Sequence, residues 1–173
     1  MFTGEEIIQA KLSPLSENDF ESVSDLAATI WHQHYIKIIS INQIDYMLAE
    51  RYKPEDLREY LNSTERWFDI LWLRNTLIGY CSYSLTSNPD EMKLEQLYLL
   101  ENFRGKGLGS LMLRHIEAEA NAKQNLILKL QVNKRNFDAI SFYQNAGFTV
   151  SKESRFDIGN GYFMDDYVME KSI

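Results

Sequence analysis

The segment best suited to chemistry is Arg104-Gly105-Lys106-Gly107-Leu108-Gly109, which separates an apolar run ending near Leu100 from an amphipathic stretch beginning at Leu108. Its glycines at alternate positions lay the main chain bare. Without Cβ atoms such a turn lets a ligand approach backbone N–H groups, and the free N–H groups of a following helix carry its positive dipole end. An oxyanion such as a pyrophosphate fits there. Arg104 and Lys106 add local positive charge, which favours a polyphosphate over a neutral ligand. A dinucleotide fingerprint needs Gly-x-Gly-x-x-Gly and a Walker loop needs Gly-Lys-Ser/Thr; glycines at 105, 107 and 109 meet neither. A turn that is glycine-rich only for its backbone angles remains an open alternative for the segment taken alone.

A second segment, Asn136-Phe137-Asp138-Ala139-Ile140-Ser141-Phe142-Tyr143, places Asn136 and Tyr143 two helical turns apart on one face, where both can line one groove. Ile140 and Phe142 can face a core instead. Tyr143 read alone is as well explained by a packed aromatic with a satisfied hydroxyl. The single cysteine, Cys81, forms no internal disulfide, and no Cys/His set has zinc-ligand spacing, so no metal is expected. His32 and His34 are two apart and share no helix face, which argues against a metal pair.

The elements that must position these groups follow from periodicity. Phe20, Val23, Leu26, Ala27, Ile30, Trp31 and Tyr35 recur at helical spacing over 19–35, after Asn18 or Asp19 as a cap. Ile41–Glu50 and the stretch opened by Pro54 continue the helical third of the chain. From Arg66 the period changes, and residues 66–100 read as an antiparallel meander with turns at Arg74-Asn75 and Asn88-Pro89-Asp90. A helix to about Lys123 then presents Leu108, Leu111, Met112, His115, Ile116 and Ala120, followed by a buried strand 127–132 and a helix from about Asn136 to Ala146. This β-α-β unit implies one parallel pairing. Gly147 is placed as a helix C′ residue, and strands 148–153 and 162–171 flank the Ile158-Gly159-Asn160-Gly161 turn. The expected fold is α/β (α+β): a mixed, mostly antiparallel central sheet with helices on both faces, in one domain over 1–173.

Composition narrows the function classes. The 173 residues carry 25 acidic against 18 basic side chains and a formal charge of −7. With a pI near 5.0 and no long basic block, a general nucleic-acid binder is excluded. Apolar residues reach 45%, with only 8 glycines and 3 prolines, which excludes a disordered or collagen-like chain. Met1 to Glu6 lack the basic and apolar regions of a signal peptide, and no apolar run is long enough to span a membrane. A cytoplasmic protein with no membrane partner is the expectation.

Together the motifs resemble the GNAT superfamily of acyl-coenzyme A N-acyltransferases, over about Arg66 to Lys171. That family's pyrophosphate motif, Gln/Arg-x-x-Gly-x-Gly/Ala, is met by residues 104–109. Its second signature, Asn-x-x-Ala-x-x-Phe-Tyr-x-x-x-Gly-Phe, is met by Asn136, Ala139, Phe142, Tyr143, Gly147 and Phe148. The resemblance implies acetyl-coenzyme A as co-substrate, bound by Arg104, Gly105, Lys106, Gly107, Leu108 and Gly109. Main-chain groups of Leu97 to Leu99 would pair with pantetheine like an added strand, beside a splayed gap that admits the thioester. Asn136 would hold the pantetheine arm and Tyr143 would sit near the sulfur, its hydroxyl able to protonate the leaving thiolate.

A protonated amine has no lone pair, so acylation needs a base or a water relay. The resemblance makes Glu95 the first candidate, although an alternating strand could simply expose it. A backbone N–H near Leu99 is the expected oxyanion donor. Trp31 and Tyr35, in a segment resembling the one that covers the acceptor cleft, would wall the substrate pocket. The ending Tyr162 to Lys171 looks like the last strand of the polyamine-acetylating branch, and its acidic side chains either attract a cationic amine or form a solvated edge. The implied activity is acetyl transfer to a primary amine, preferably small and cationic, with protein or peptide amines as a second acceptor class. A non-catalytic acyl-coenzyme A sensor is the alternative, a ligand-free interaction domain the third. A homodimer is expected by analogy.

Overall fold

The computed structural model describes residues 9–173; Met1 to Glu6, where the sequence was read for a signal peptide, lie outside that range. The elements run β1 (Ala10–Pro14), α1 (Phe20–Tyr35), α2 (Ile41–Ala49), α3 (Pro54–Leu61), β2 (Arg66–Leu73), β3 (Thr76–Leu85), β4 (Glu91–Leu99), α4 (Leu108–Ala122), β5 (Ile127–Asn133), α5 (Phe137–Asn145), β6 (Thr149–Gly159) and β7 (Tyr162–Ser172). The strands form one seven-stranded sheet in the order β1-β2-β3-β4-β5-β7-β6. Among the described residues only β4 and β5 pair in parallel; the remaining pairs are antiparallel. The expected mixed sheet is present.

Two apolar clusters show why helices cover both faces. On one face Leu71, Ile78, Tyr83, Met92 and Leu94 of the sheet pack on Leu108, Met112, Ile116 and Ala120 of α4, with α5 alongside. On the other, Phe68, Ile70 and Tyr80 pack on Val23, Ala27, Ile30 and Trp31 of α1 and on Ile44, Met47 and Leu57 of α2 and α3. Successive strand residues face opposite ways, so one set of strands supplies both cores. Burying a side chain such as Ile116 fully contributes about 2 kcal/mol. Cys81 is buried in the first cluster, where desolvation pushes its thiol well up, as suits a core residue.

Two elements differ from the sequence expectation. β1 was absent from it: Ala-Lys-Leu-Ser-Pro has little strand propensity, and pairing with β2 creates the strand. Its terminal Pro14 is tolerated because β1 is an edge. β6 runs on to Gly159 instead of ending near residue 153, because the hairpin partner β7 supplies hydrogen bonds to a stretch too charged to read as a strand.

Two irregularities open the site. The β4–β5 ladder runs from Glu91↔Ile127 to Leu94↔Leu130, while β4 continues to Leu99 and β5 to Asn133. Beyond Leu94 the two strands part. In the same place β4 bulges: Tyr83 pairs Leu94 and Ser82 pairs Gln96, leaving Glu95 without a partner on β3. A bulge re-aims the side chains around it.

Candidate active site

The gap between β4 and β5 exposes main chain. The Leu100 N–H donates to the Ile78 carbonyl at 3.0 Å, toward β3. Strand alternation therefore turns the N–H and C=O groups of Leu97 and Leu99 to the opposite, opened edge. The Leu99 carbonyl accepts from Arg104 Nε at 3.2 Å, and that bond ties the glycine turn to the strand.

The turn is shaped by its glycines. Gly105 and Gly107 have φ of +69° and +82°, a left-handed conformation that side chains resist, and Gly107 directly caps α4. Gly109 is different: the nearest neighbours of a Cβ there would be the Phe142 ring at 3.5 Å and Leu99 at 3.8 Å, in ordinary contact. Its missing side chain leaves room for a ligand rather than for strain. The turn forms one side of a groove of about 600 Å³, whose walls include Leu97, Leu99, Arg104, Gly105, Gly107, Gly109, Asn136 and Tyr143.

Of the turn residues, two are placed elsewhere. The Leu108 side chain is buried in the core, so only its main chain faces the turn. The Lys106 ammonium donates to the Asn102 carbonyl at 2.6 Å and lies over Phe103, and its side chain is not part of the groove wall. Of the turn's two charged side chains, Arg104 is the one that faces the groove, and Asp138 lines it from α5.

Sequence reasoning missed the residue that holds Arg104. His34, at the end of α1, accepts from Arg104 Nη1 at 3.1 Å through Nδ1 and meets Asn136 Oδ1 at 3.1 Å through Nε2. An arginine only donates, so Nδ1 is the acceptor and Nε2 carries the proton toward Asn136. Burial, then the Arg104 guanidinium, holds His34 below the ordinary histidine value. Asn136 also caps α5, accepting from the Ala139 N–H. One imidazole thus joins the two motif segments. His32, by contrast, pairs with Asp45 at the surface.

A second cavity, the cleft, opens on the other side of the gap and is lined by Trp31, Tyr35, Arg51, Glu95, Gln96, Tyr98 and Asp166 among others. Groove and cleft share Leu97, Tyr98, Asn136, Ala139 and Tyr143, so the two meet where the strands part. Tyr143 is buried at that junction, and desolvation pushes its hydroxyl far above the ordinary tyrosine value. It keeps its proton. Glu95 accepts from Ser84 Oγ at 2.8 Å and lies 3.8 Å from Lys93 Nζ, its side chain 28% exposed.

A tyrosine network forms and backs the cleft wall. Tyr35 and Tyr98 share a hydrogen bond at 3.0 Å, Tyr52 and Tyr80 one at 2.7 Å, and Trp31 Nε1 donates to Tyr80 at 3.2 Å. Trp31 packs against Tyr35 and Tyr98 with ring centroids 5.0 and 5.6 Å away. Tyr98 and Gln96 were not singled out in the sequence, although alternation along β4 places them on this face. Among the described residues no group of three or more His, Cys, Asp or Glu side chains could hold a metal ion, and no helix is long and apolar enough to cross a membrane.

Residues 31–148 match the acetyltransferase (GNAT) family. A spermidine N(1)-acetyltransferase of Thermoplasma acidophilum is 28% identical over 165 residues, 93% of this chain and 96% of that one. A spermine/spermidine N(1)-acetyltransferase of Bacillus subtilis is 27% identical over 128 residues, 69% of this chain and 81% of that one. The crystal structure of the PaiA N-acetyltransferase from Thermoplasma acidophilum in complex with coenzyme A superposes with a TM-score of 0.80 at 25% identity, covering 95% of this chain and 99% of the other. The matched span contains the glycine turn, the parted strands and the α5 motif, and the chain belongs to the GNAT acetyltransferase family, as an N-acetyltransferase that uses acetyl-coenzyme A.

Proposed function

We propose that the enzyme acetylates a primary amine, a small cationic amine such as a polyamine in preference to a protein or peptide amine, by direct attack within a ternary complex. The observation that carries this reading is the meeting of groove and cleft at Leu97, Asn136 and Tyr143, which gives coenzyme and acceptor separate approaches to one point. The relatives named as spermidine and spermine acetyltransferases support the acceptor class.

In this reading the N–H groups of the turn and of the first turn of α4, with Arg104, hold the pyrophosphate. Leu97 and Leu99 pair with pantetheine through their opened edge, as an added strand. Asn136 orients the same arm. Glu95 takes the proton of the incoming ammonium, directly or through water, and the freed lone pair forms the C–N bond. A main-chain N–H near Leu99 donates to the carbonyl oxygen as charge develops on it. The C–S bond then breaks with its electron pair on sulfur, the nitrogen gives its surplus proton to that thiolate directly or through water, and the Tyr143 hydroxyl donates a hydrogen bond to the sulfur. Because burial holds that proton tightly, Tyr143 acts as a donor that does not itself titrate near neutral pH. The whole chain acts as one domain, in the cytoplasm and as a homodimer.

Release of free thiol from acetyl-coenzyme A across polyamines, amino acids, aminoglycosides and peptides tests the reading. Turnover with small cationic amines is the expected result. Coenzyme binding without turnover on any amine would replace it with the sensor function.

A further inference from the structure

We propose that Asp166 is the carboxylate that binds a second, non-reacting ammonium of the acceptor, making the enzyme selective for linear di- and polyamines over monoamines. This rests on the acetyltransferase reading above and adds to it a residue and a reason for the acceptor class.

The last strand carries adjacent acids, and the structure separates them. Asp165 points to solvent, its side chain 60% exposed, and pairs with Lys134 at 2.6 Å. Asp166 points the other way, into the cleft, and is 7% exposed. Its Oδ1 is fully buried and accepts no hydrogen bond among the described residues. No lysine, arginine or histidine nitrogen comes within 4.0 Å of its carboxylate among those residues. A buried carboxylate without a partner is costly, and such groups persist where a ligand completes them.

What surrounds Asp166 states the chemistry of that ligand. The aromatic side chains of Trp31, Tyr35 and Tyr98 line the same cleft, a setting that suits a cation. Met47, Ile158 and Met164 supply apolar wall for a methylene chain. The charged groups acting on Asp166 are Arg51 from the segment after α2, Lys134 from the end of β5, and Asp165 beside it. Lys134 is already held by Glu153 and Asp165, and the Arg51 guanidinium lies over the Trp31 ring at 5.7 Å. Burial, then Asp165, raises the Asp166 carboxyl to about 6, so it remains largely ionised at neutral pH and ready for a cation. One end of a diamine can occupy this position while the other reaches the junction with the groove.

The test compares kcat/KM for spermidine and for butylamine, read as thiol release at saturating acetyl-coenzyme A. Wild-type enzyme should favour spermidine. Asp166→Asn should lower the spermidine-to-butylamine ratio about tenfold, mainly through KM, as loss of one desolvated charge contact does. Asp165→Asn should leave the ratio unchanged. The Asp166→Asn protein should melt no lower than its parent, because an uncompensated charge has been removed. Equal loss on both acceptors, an unchanged ratio, or the same loss in Asp165→Asn overturns the assignment and leaves the acetyltransferase reading standing. Wild-type enzyme that binds coenzyme A but acetylates neither amine overturns that reading, and the assignment with it.

Discussion

Asp69 and Asp166 are buried to nearly the same degree, 6% and 7% exposed, on opposite faces of one sheet. Asp69 lies on the α4 face, where its Oδ2 accepts from His115 Nε2 at 2.8 Å and from the Tyr83 hydroxyl at 2.9 Å. Asp166 lies in the cleft with an oxygen that accepts nothing among the described residues. Burial therefore does not by itself distinguish a structural carboxylate from a working one; what each group is bonded to does. The same contrast divides their surroundings: Asp69 is held by two donors beneath α4, whereas Asp166 faces the cleft beside the gap in the sheet.

The largest expected effect tests the bonded carboxylate. Asp69→Ala leaves His115 and Tyr83 without their shared acceptor and should cost about 3 kcal/mol, measured by denaturant unfolding. It should also remove a pH dependence. The hydrogen bond to Asp69, against desolvation, holds His115 above the ordinary 6.5. With the folded value raised, that stabilisation is complete below 6.5 and is lost as pH rises through the folded value. If Asp69→Ala melts like its parent, the contrast with Asp166 is gone.

Next comes the junction. Tyr143→Phe should lower kcat about a hundredfold with coenzyme affinity retained, if the hydroxyl serves the sulfur; unchanged turnover would make Tyr143 a packing residue. Gly109→Ala probes the groove more gently. Gly107 and Gly105 have left-handed φ, so substitution there mixes strain with occlusion. Gly109 does not, and alanine suits a helix better than glycine by about 0.5–1 kcal/mol. Coenzyme affinity should fall about tenfold, a backbone-approach cost of the size of one lost hydrogen bond, while Tm holds or rises. A parallel loss of both would return the turn to a purely structural role.

The smallest effect concerns His34. Burial, then Arg104, holds its folded value below 6.5, so the neutral ring's contribution is whole above 6.5 and is lost as pH falls through the folded value. Protonation removes the acceptor that holds Arg104. Wild-type affinity for coenzyme A, followed by calorimetry, should weaken severalfold more over that fall than in His34→Gln, whose amide can still accept and donate. Parallel curves would unlink the imidazole from the groove.

The parts of the site legible in the sequence are the parts that local chemistry dictates. Glycines at 105, 107 and 109 announce an exposed turn, Asn136 and Tyr143 announce one shared groove, and Gly147 duly takes φ +95° at the end of α5. What stayed hidden depends on contacts made far along the chain. His34 meets Arg104 across 70 positions and Asn136 across 102, and no periodicity encodes either meeting. Parity on β7 says that Asp165 and Asp166 face opposite ways, but not which of them finds Lys134 and which finds tyrosines. The parting of β4 from β5 and the bulge at Glu95 are properties of pairing, visible only once both strands are in place.

The hairpin joining β6 to β7 gains meaning from that parity. Gly159, Asn160 and Gly161 all take positive φ there and set the register in which Asp166 meets Ser154 and Asn133. Inserting or deleting a single residue at this tip would exchange every side chain on β7 between faces, sending Asp165 inward and Asp166 out to water. The proposed preference of the enzyme for its substrate is in this sense governed from the tip of one hairpin, which decides which of two neighbouring acids is hidden.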